Sequence, residues 1–257
     1  MNVVVCIKSV LTSPAQNPSE RPEDATELNP YDRPAIEFAL SVAEEEGGTV
    51  TALSMGPPSA RFALLETLAM GAHRAVLISE KALAGSDTLV TSSVLAKAIK
   101  KIGDWDLLVF GLRSFDGDTG QVGPQAAAII DVPLITGVTR IAKEEKGRLV
   151  QRRADGFVDE FLVSLPAAFT IHPSANKPRY VGLGGLETAY TEGEIEEWTA
   201  TGELGMEVKE LGWAGSPTLV RGTRQVSRER KCEFVEGSVQ EQAEKLLKLL
   251  SNKGLIG

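Results

Sequence analysis

The side chains that most often do acid–base and nucleophilic work near neutral pH are scarce in this chain: of 257 residues, two are histidine and two are cysteine. A four-ligand zinc site would need all of His73, His172, Cys6 and Cys232, or added carboxylates, which excludes an obligate zinc fold. The same scarcity favours binding over hydrolysis as the general task. Long apolar runs are also missing, none approaching the ~20 residues that cross a bilayer. The opening Met1-Asn2-Val3-Val4-Val5-Cys6-Ile7 is too short for a secretory leader and lacks its basic start and small-residue cleavage pattern, so it reads as a first strand in a cytoplasmic protein. There is no excess of base: 27 Lys+Arg stand against 35 Asp+Glu, a net charge of −8. That balance disfavours nucleic acid or an anionic membrane as the main partner.

What is present is a globular composition, 42% hydrophobic and 24% charged. A chain of this length buries roughly 70–75% of its unfolded surface without staples. Apolar β-rich runs at 3–7, 49–55, 75–78, 107–110 and 167–171 alternate with helix-period segments at 34–45, 59–70, 86–102 and 124–130. This alternation predicts an α/β fold: an open parallel sheet with helices on both faces, Rossmann-like, in strand order 3-2-1-4-5. Freer alternation at 134–141, 148–153 and 159–165 reads as antiparallel strands added to the sheet edge. Asp32 is placed to cap one helix, with Pro34 in its first turn, and Ser86 or Asp87 to cap another that Gly103 ends. The Pro-, Ser- and acid-rich stretch 12–27 reads as a functional flap. After Ile171 prolines and glycines cluster and the chain turns acidic, so the organisation expected is a nucleotide-binding domain over 1–175 and a C-terminal arm over 176–257. In that arm 238–251 forms an amphipathic helix, with Val239, Ala243, Leu246, Leu247 and Leu250 on one stripe.

The most informative segment is Gly111-Leu112-Arg113-Ser114-Phe115-Asp116-Gly117-Asp118-Thr119-Gly120-Gln121-Val122-Gly123-Pro124-Gln125, between a buried strand and a helix. In an open parallel sheet that place faces the crevice at the carboxyl ends of the strands. Glycines let backbone approach a ligand, amides at a helix start favour phosphate, and Thr119 and Gln121 add hydrogen-bonding groups. The opposite lip would be residues 6–9, with Lys8 supplying charge, while residues 29–32 and 55–57 close over a base. A tight turn built by Asp116 and Asp118 is the plainer alternative. Neither a P-loop nor a dinucleotide fingerprint is present. His73 reads as a surface turn residue, Cys6 as a small buried hydrophobe. His172 has no carboxylate or cysteine beside it in sequence, Cys232 has no assigned task, and the acidic run 192–197 reads as a solvated face.

Several motifs together carry a resemblance: Val5-Cys6-Ile7-Lys8, Asn29-Pro30-Tyr31-Asp32, Ala69-Met70-Gly71-Ala72-His73-Arg74-Ala75, Ser86-Asp87-Thr88-Leu89-Val90-Thr91-Ser92, the Asp116-to-Gln125 segment and Lys177-Pro178-Arg179-Tyr180. Over nearly its whole length the sequence resembles the beta subunit of electron-transfer flavoproteins. The resemblance implies a heterodimer with an alpha subunit, an FAD held mainly by that partner, and an adenine nucleotide in this chain. Carried over by position, the nucleotide contacts are Cys6, Asn29, Pro30, Tyr31, Asp32, Met55 and the loop from Gly111 to Val122, with Tyr31 also near the partner's flavin. Some members of the family hold AMP in this pocket. Others hold a second FAD and bifurcate electrons from NADH, and this chain is closest to them, with Thr88 and Thr91 positioned for the extra diphosphate or flavin. Where that group has Gly-Arg-Gln-Ala-Ile, this chain has Gly111-Leu112-Arg113-Ser114-Phe115, its basic residue displaced by one. The segment after Lys-Pro-Arg-Tyr docks an acyl-CoA dehydrogenase in the family through a leucine, and Leu183 occupies that place. The readings that follow are a carrier subunit, a bifurcating NADH-oxidising subunit, and a non-redox adenine-nucleotide-binding module.

Overall fold

The computed structural model of the chain describes residues 1–11, 26–220, 222, 232 and 234–256. In chain order the strands are β1 (Val3–Ile7), β2 (Ser9–Leu11), β3 (Thr26–Leu28), β4 (Val50–Met55), β5 (Arg74–Ile78), β6 (Leu107–Gly111), β7 (Leu134–Glu144), β8 (Gly147–Ala154), β9 (Phe157–Val163), β10 (Ala167–Ile171) and β11 (Ile195–Trp198). The helices are α1 (Arg33–Glu46), α2 (Arg61–Met70), α3 (Thr88–Ile102), α4 (Val122–Ile130), α5 (Leu183–Thr191), α6 (Gly212–Gly215) and α7 (Val239–Asn252). Nine strands form one sheet in the order β11-β5-β4-β1-β6-β10-β7-β8-β9, and β2 pairs with β3 apart from it. Counting the five expected parallel strands alone, their order is 3-2-1-4-5, as the sequence predicts.

The two faces follow from the period-two alternation of β1. Val3, Val5 and Ile7 pack in one core with Ile36, Leu40 and Ala43 of α1 and Leu64 of α2. Val4 and Cys6 lie in the other core with Val94, Ala98 and Ile99 of α3 and Ala126 and Ala127 of α4. A strand buried on both faces has no solvent side to mark with polar residues, so its sequence is continuously apolar. Helix ends have local causes too. Asp87 caps α3, accepting from the amides of Leu89 and Val90 at 3.0 Å each, and Gly103 ends it. The chain leaves α1 through Gly47 at φ 64°, in the left-handed region that glycine enters without steric cost.

Several expectations are corrected. Asp32 stands at the N-cap of α1 but makes no side-chain cap bond. Its Oδ2 accepts instead from the Lys8 amide at 2.7 Å, because this carboxyl is buried against the end of β1 rather than turned to its own helix. The acidic run 192–197 does keep its carboxylates exposed, but its end is also a strand that the sequence did not announce: β11 runs parallel to β5 and adds an edge strand to the sheet, with Trp198 buried. On the other edge β7 begins parallel to β10 and then turns antiparallel to β8, so the expected edge addition is a three-strand meander sharing its first strand with the parallel sheet.

Residues Met1–Leu219 form one compact unit and Val220–Gly257 a second, so the compact domain extends past the boundary drawn at 175. In the second unit α7 begins at Ser238, whose hydroxyl accepts from the Glu241 amide while Glu241 bonds back to the Ser238 amide, a reciprocal capping box. Val239, Leu246 and Leu247 of its apolar stripe are exposed. Most of the stretch expected as a flap, residues 12–25, lies outside the described residues. Among the described residues no helix is long and apolar enough to cross a membrane.

Candidate functional site

The sheet reverses its winding at β1: the next parallel strand, β4, lies on one side of it and β6, reached later, on the other. The crevice beyond the carboxyl ends of β1 and β6 is therefore the topological switch point, where open α/β sheets bind ligands. Both conspicuous segments of the sequence converge there. The turn 29–32 follows β1 and the short β2–β3 pair, and the loop 112–121 follows β6.

Asn29 joins them. It is buried, its amide donates to Lys8 O at 2.9 Å, its Nδ2 donates to Arg113 O at 2.9 Å, and its Oδ1 accepts from the Phe115 amide at 3.1 Å. Gly111 seals the contact between strand and turn, since a Cβ there would lie 2.1 Å from Asp32 Oδ1 and 2.8 Å from Tyr31 O. Arg113 folds back over the turn with its Cζ 4.8 Å from the centroid of the Tyr31 ring, donating to Tyr31 Oη at 2.8 Å and pairing with Asp118 at 3.2 Å. Lys8 reaches across from the end of β1 to Asp116 Oδ1 at 2.6 Å, and Asp116 also accepts from the Gly117 amide. Ser114 O takes the Asp118 amide.

Burial sets the electrostatics. Desolvation pushes the Asp32 carboxyl up to about 7 from 3.8, and the neighbouring Asp116 adds to this, while the Lys8 amide, Asn29 and the Lys8 charge oppose it. For Asp116 desolvation is the largest influence and acts upward, but the Lys8 ammonium, the Ser114 hydroxyl and the Gly117 amide together outweigh it and hold this carboxyl below its ordinary value. One carboxyl of the pair is thus poised to hold a proton while the other stays charged. The Cys6 thiol is buried, and desolvation followed by the Asp32 charge drives it upward, away from the thiolate; Cys6 here is a small apolar wall.

The expected site residues fall into four places. Cys6, Lys8, Asn29, Pro30, Tyr31, Asp32 and the loop from Gly111 to Val122 line the switch-point crevice. Met55 ends the neighbouring β4, in register with Ile78. Thr88 and Thr91 lie on the first turn of α3, and Thr88 Oγ1 sits 3.2 Å from Gln121 Oε1, so the amino ends of α3 and α4 are side by side. Leu183 is elsewhere, the first residue of α5 and 86% exposed. His73 is exposed and its Nδ1 accepts from the Val50 amide, a structural contact at the opposite end of the strands.

Three contributors were not among the expected site residues. Ser92, on the second turn of α3, bonds Val122 O and Gln125 Oε1 at 3.1 Å each and so fixes α4 against α3. Thr218 and Ser216 bind the loop before α3: the Thr218 amide and hydroxyl donate to Asp87 Oδ2, and Ser216 Oγ accepts from the Asp87 amide. They are about 130 residues from Asp87 in sequence, separations of 131 and 129.

The donor set suits a phosphate-bearing ligand. Gln121, the N-cap of α4, makes no side-chain cap bond, and the amides of residues 119–121 donate to no group among the described residues. Uncapped amides at a helix start and a nearby ammonium are what an anionic group needs. Fold and crevice together define an open, doubly wound α/β protein with its candidate ligand site at the switch point. The family model described as electron transfer flavoprotein domain matches residues 21–203. The electron transfer flavoprotein subunit beta of Thermoanaerobacterium thermosaccharolyticum is 36% identical over the whole of both chains. The caffeyl-CoA reductase-Etf complex subunit CarD of Acetobacterium woodii is also 36% identical over both whole chains, and the protein FixA of Sinorhizobium fredii is 38% identical over 96% of this chain and 92% of its own. The chain belongs to the electron transfer flavoprotein family, as a beta-type subunit.

Proposed function

We propose that this chain is the beta subunit of a heterodimeric electron carrier, whose switch-point crevice holds the adenine-nucleotide half of a second FAD. The observation that carries the reading is the Asn29 bridge, which closes the turn 29–32 onto the loop 112–121 beside the uncapped start of α4. The proximity of Thr88 to Gln121 supports FAD over AMP, because the Thr88 hydroxyl and the Gln121 side-chain amide, beside the uncapped start of α4, add hydrogen-bonding groups for a diphosphate rather than one phosphate. The flavin, when bound, supplies the one- and two-electron chemistry. The residues of this chain bind and orient the nucleotide, with Lys8 offsetting phosphate charge and the Asn29–Arg113 contact holding the loop in place. With a second flavin in this chain, the reading extends to oxidation of NADH with bifurcation of its electrons.

The proposed partners are an alpha subunit, which shares the other FAD, and an acyl-CoA dehydrogenase-type protein. The apolar stripe of α7 and the exposed Phe157, Val158 and Leu162 of β9 are surfaces suited to the first. Leu183 is the proposed contact to the second. In the segment that follows it, Glu187, Glu192, Glu194 and Glu197 are exposed and make no ion pair among the described residues, so the docking partner is expected to be basic and association to slow as salt rises. Co-expression with the alpha subunit, acid release and chromatography of the nucleotides tests the reading. Two FAD per heterodimer, one of them reducible by NADH, is expected; one FAD with one AMP assigns the chain to the plain carriers, and a colourless subunit with no nucleotide removes the redox reading.

A further inference from the structure

Between β10 and α5 the chain crosses residues 172–182 without regular secondary structure. A segment of that kind is loose unless side chains tie it down. Here the ties converge on one side chain. The Arg179 guanidinium lies between two carboxylates on one face of α1, about two turns apart: Nε and Nη2 donate to Glu37 at 2.8 and 3.0 Å, and Nη1 and Nη2 donate to Glu44 at 2.7 and 3.1 Å. The Arg179 amide adds a bond to Glu37 at 2.9 Å, and Asn176 Nδ2 binds Pro34 O at 2.9 Å. Burial alone would raise the Glu37 carboxyl, but the Arg179 bonds outweigh it and hold it below its ordinary range. Four residues after this anchor stands Leu183, exposed, followed by Gly185, where a Cβ would meet Ala69 O at 2.6 Å and lift α5 off the end of α2.

We infer that Arg179 is a positioning residue: by clamping the segment 176–182 to α1 it holds the first turn of α5, and with it Leu183, in one orientation for docking. The inference rests on the docking reading of Leu183 given above. A forked guanidinium can engage two carboxylates at once with fixed geometry, which a lysine ammonium cannot. An anchor that orders a docking element before the encounter removes an ordering cost from binding and leaves the electron-transfer step itself untouched. The effect therefore falls on the affinity for the partner and not on flavin content.

The test uses the heterodimer, with hydrogen exchange read at the amides of residues 180–191 and a purified short-chain acyl-CoA dehydrogenase as the electron-transfer probe. Arg179→Lys is expected to speed exchange over 180–191 by tenfold or more while residues 29–32 and 111–122 keep their protection, and to raise KM for the dehydrogenase with kcat and flavin content unchanged. Glu44→Gln, at an exposed position, removes half of the clamp and gives a smaller change in the same direction. Adding Leu183→Ala to Arg179→Lys is expected to raise KM no further than Leu183→Ala alone. Unchanged exchange over 180–191 in Arg179→Lys, or equal loosening of the whole chain, overturns the clamp. If the clamp variants loosen the segment but Leu183→Ala leaves KM unchanged, the docking reading fails and the purpose assigned to Arg179 fails with it, although the anchor stands.

Discussion

Asn29 and Arg113 meet across the carboxyl-end crevice through a side-chain amide bonded to a main-chain carbonyl at 2.9 Å, and the same amide group takes the Phe115 N–H two residues on. One buried side chain thereby sets the spacing between the two walls of the site. Asn29→Ala leaves the Arg113 carbonyl and the Phe115 N–H without their partner in a part-buried contact, which costs about 1–2 kcal/mol. The expected result is lower stability together with loss of bound nucleotide. Asn29→Asp is the sharper variant, because it keeps the size and the acceptor but cannot donate to Arg113 O. Nucleotide retention at wild-type level in Asn29→Asp would remove the bridge from the account of the site.

Lys8 and Asp116 separate binding from stability. Their side chains are 39% and 20% exposed, so the pair lies near the surface and contributes less than about 1 kcal/mol to folding. The Lys8 charge has a second use if the ligand carries phosphate. Lys8→Met is expected to leave the denaturant midpoint nearly unchanged while the heterodimer loses its nucleotide at least tenfold more readily on dialysis, most clearly at low salt. A nucleotide held as tightly as before would show that the ammonium serves Asp116 alone.

Asp32 gives the site a pH dependence with a definite sign. Its folded value of about 7 lies above the 3.8 of an ordinary aspartate, so between those values the folded protein keeps a proton that the unfolded chain has released. Stability carried by this group is therefore full below about pH 4 and declines as pH rises through the folded value, by up to about 4 kcal/mol from end to end. Carboxylates held low, such as Glu37 and Asp116, act in the opposite sense and weaken the fold as pH falls through their own depressed range. Comparing Asp32→Asn with wild type isolates the Asp32 contribution. The variant is expected to gain relative stability between pH 4 and 7, and parallel stability curves for the two proteins would show that Asp32 is ionised throughout.

The parallel strands were legible because burial on both faces leaves an unbroken apolar run, and α3 because Asp87 and Gly103 mark its ends with local chemistry. The two walls of the crevice were legible for a similar reason: glycines and turn residues crowd into short stretches at the end of a strand. What joins those walls was not, since Asn29 and Arg113 are 84 residues apart and neither reports the other. Asp32 shows a local rule losing to a tertiary one, its capping position kept and its side chain taken by the end of β1. The strand β11 was hidden because Glu196 and Glu197 dominate its four residues and read as solvated surface, while its contacts lie more than a hundred residues away.

That hidden strand depends on Trp198. The ring is 8% exposed and packs in the core on the α3 side of the sheet, with the Arg74 guanidinium 5.8 Å and the Lys101 ammonium 5.3 Å from its centroid. Arg74 also holds the strand from outside, donating to both carboxylate oxygens of Glu196 at 2.6 and 2.8 Å. Removing the ring opens a cavity and ends the cation–π contacts, so Trp198→Ala is expected to cost about 3–5 kcal/mol. Glu196→Gln, which weakens only the exposed pair, should cost under about 1 kcal/mol. Loss of β11 would also bare the edge of β5, a row of free backbone groups that templates pairing between chains. Trp198→Ala is thus expected to aggregate on mild heating while Trp198→Phe does not, and a denaturant midpoint shared by Trp198→Ala and wild type would mean that β11 adds nothing to the sheet it borders.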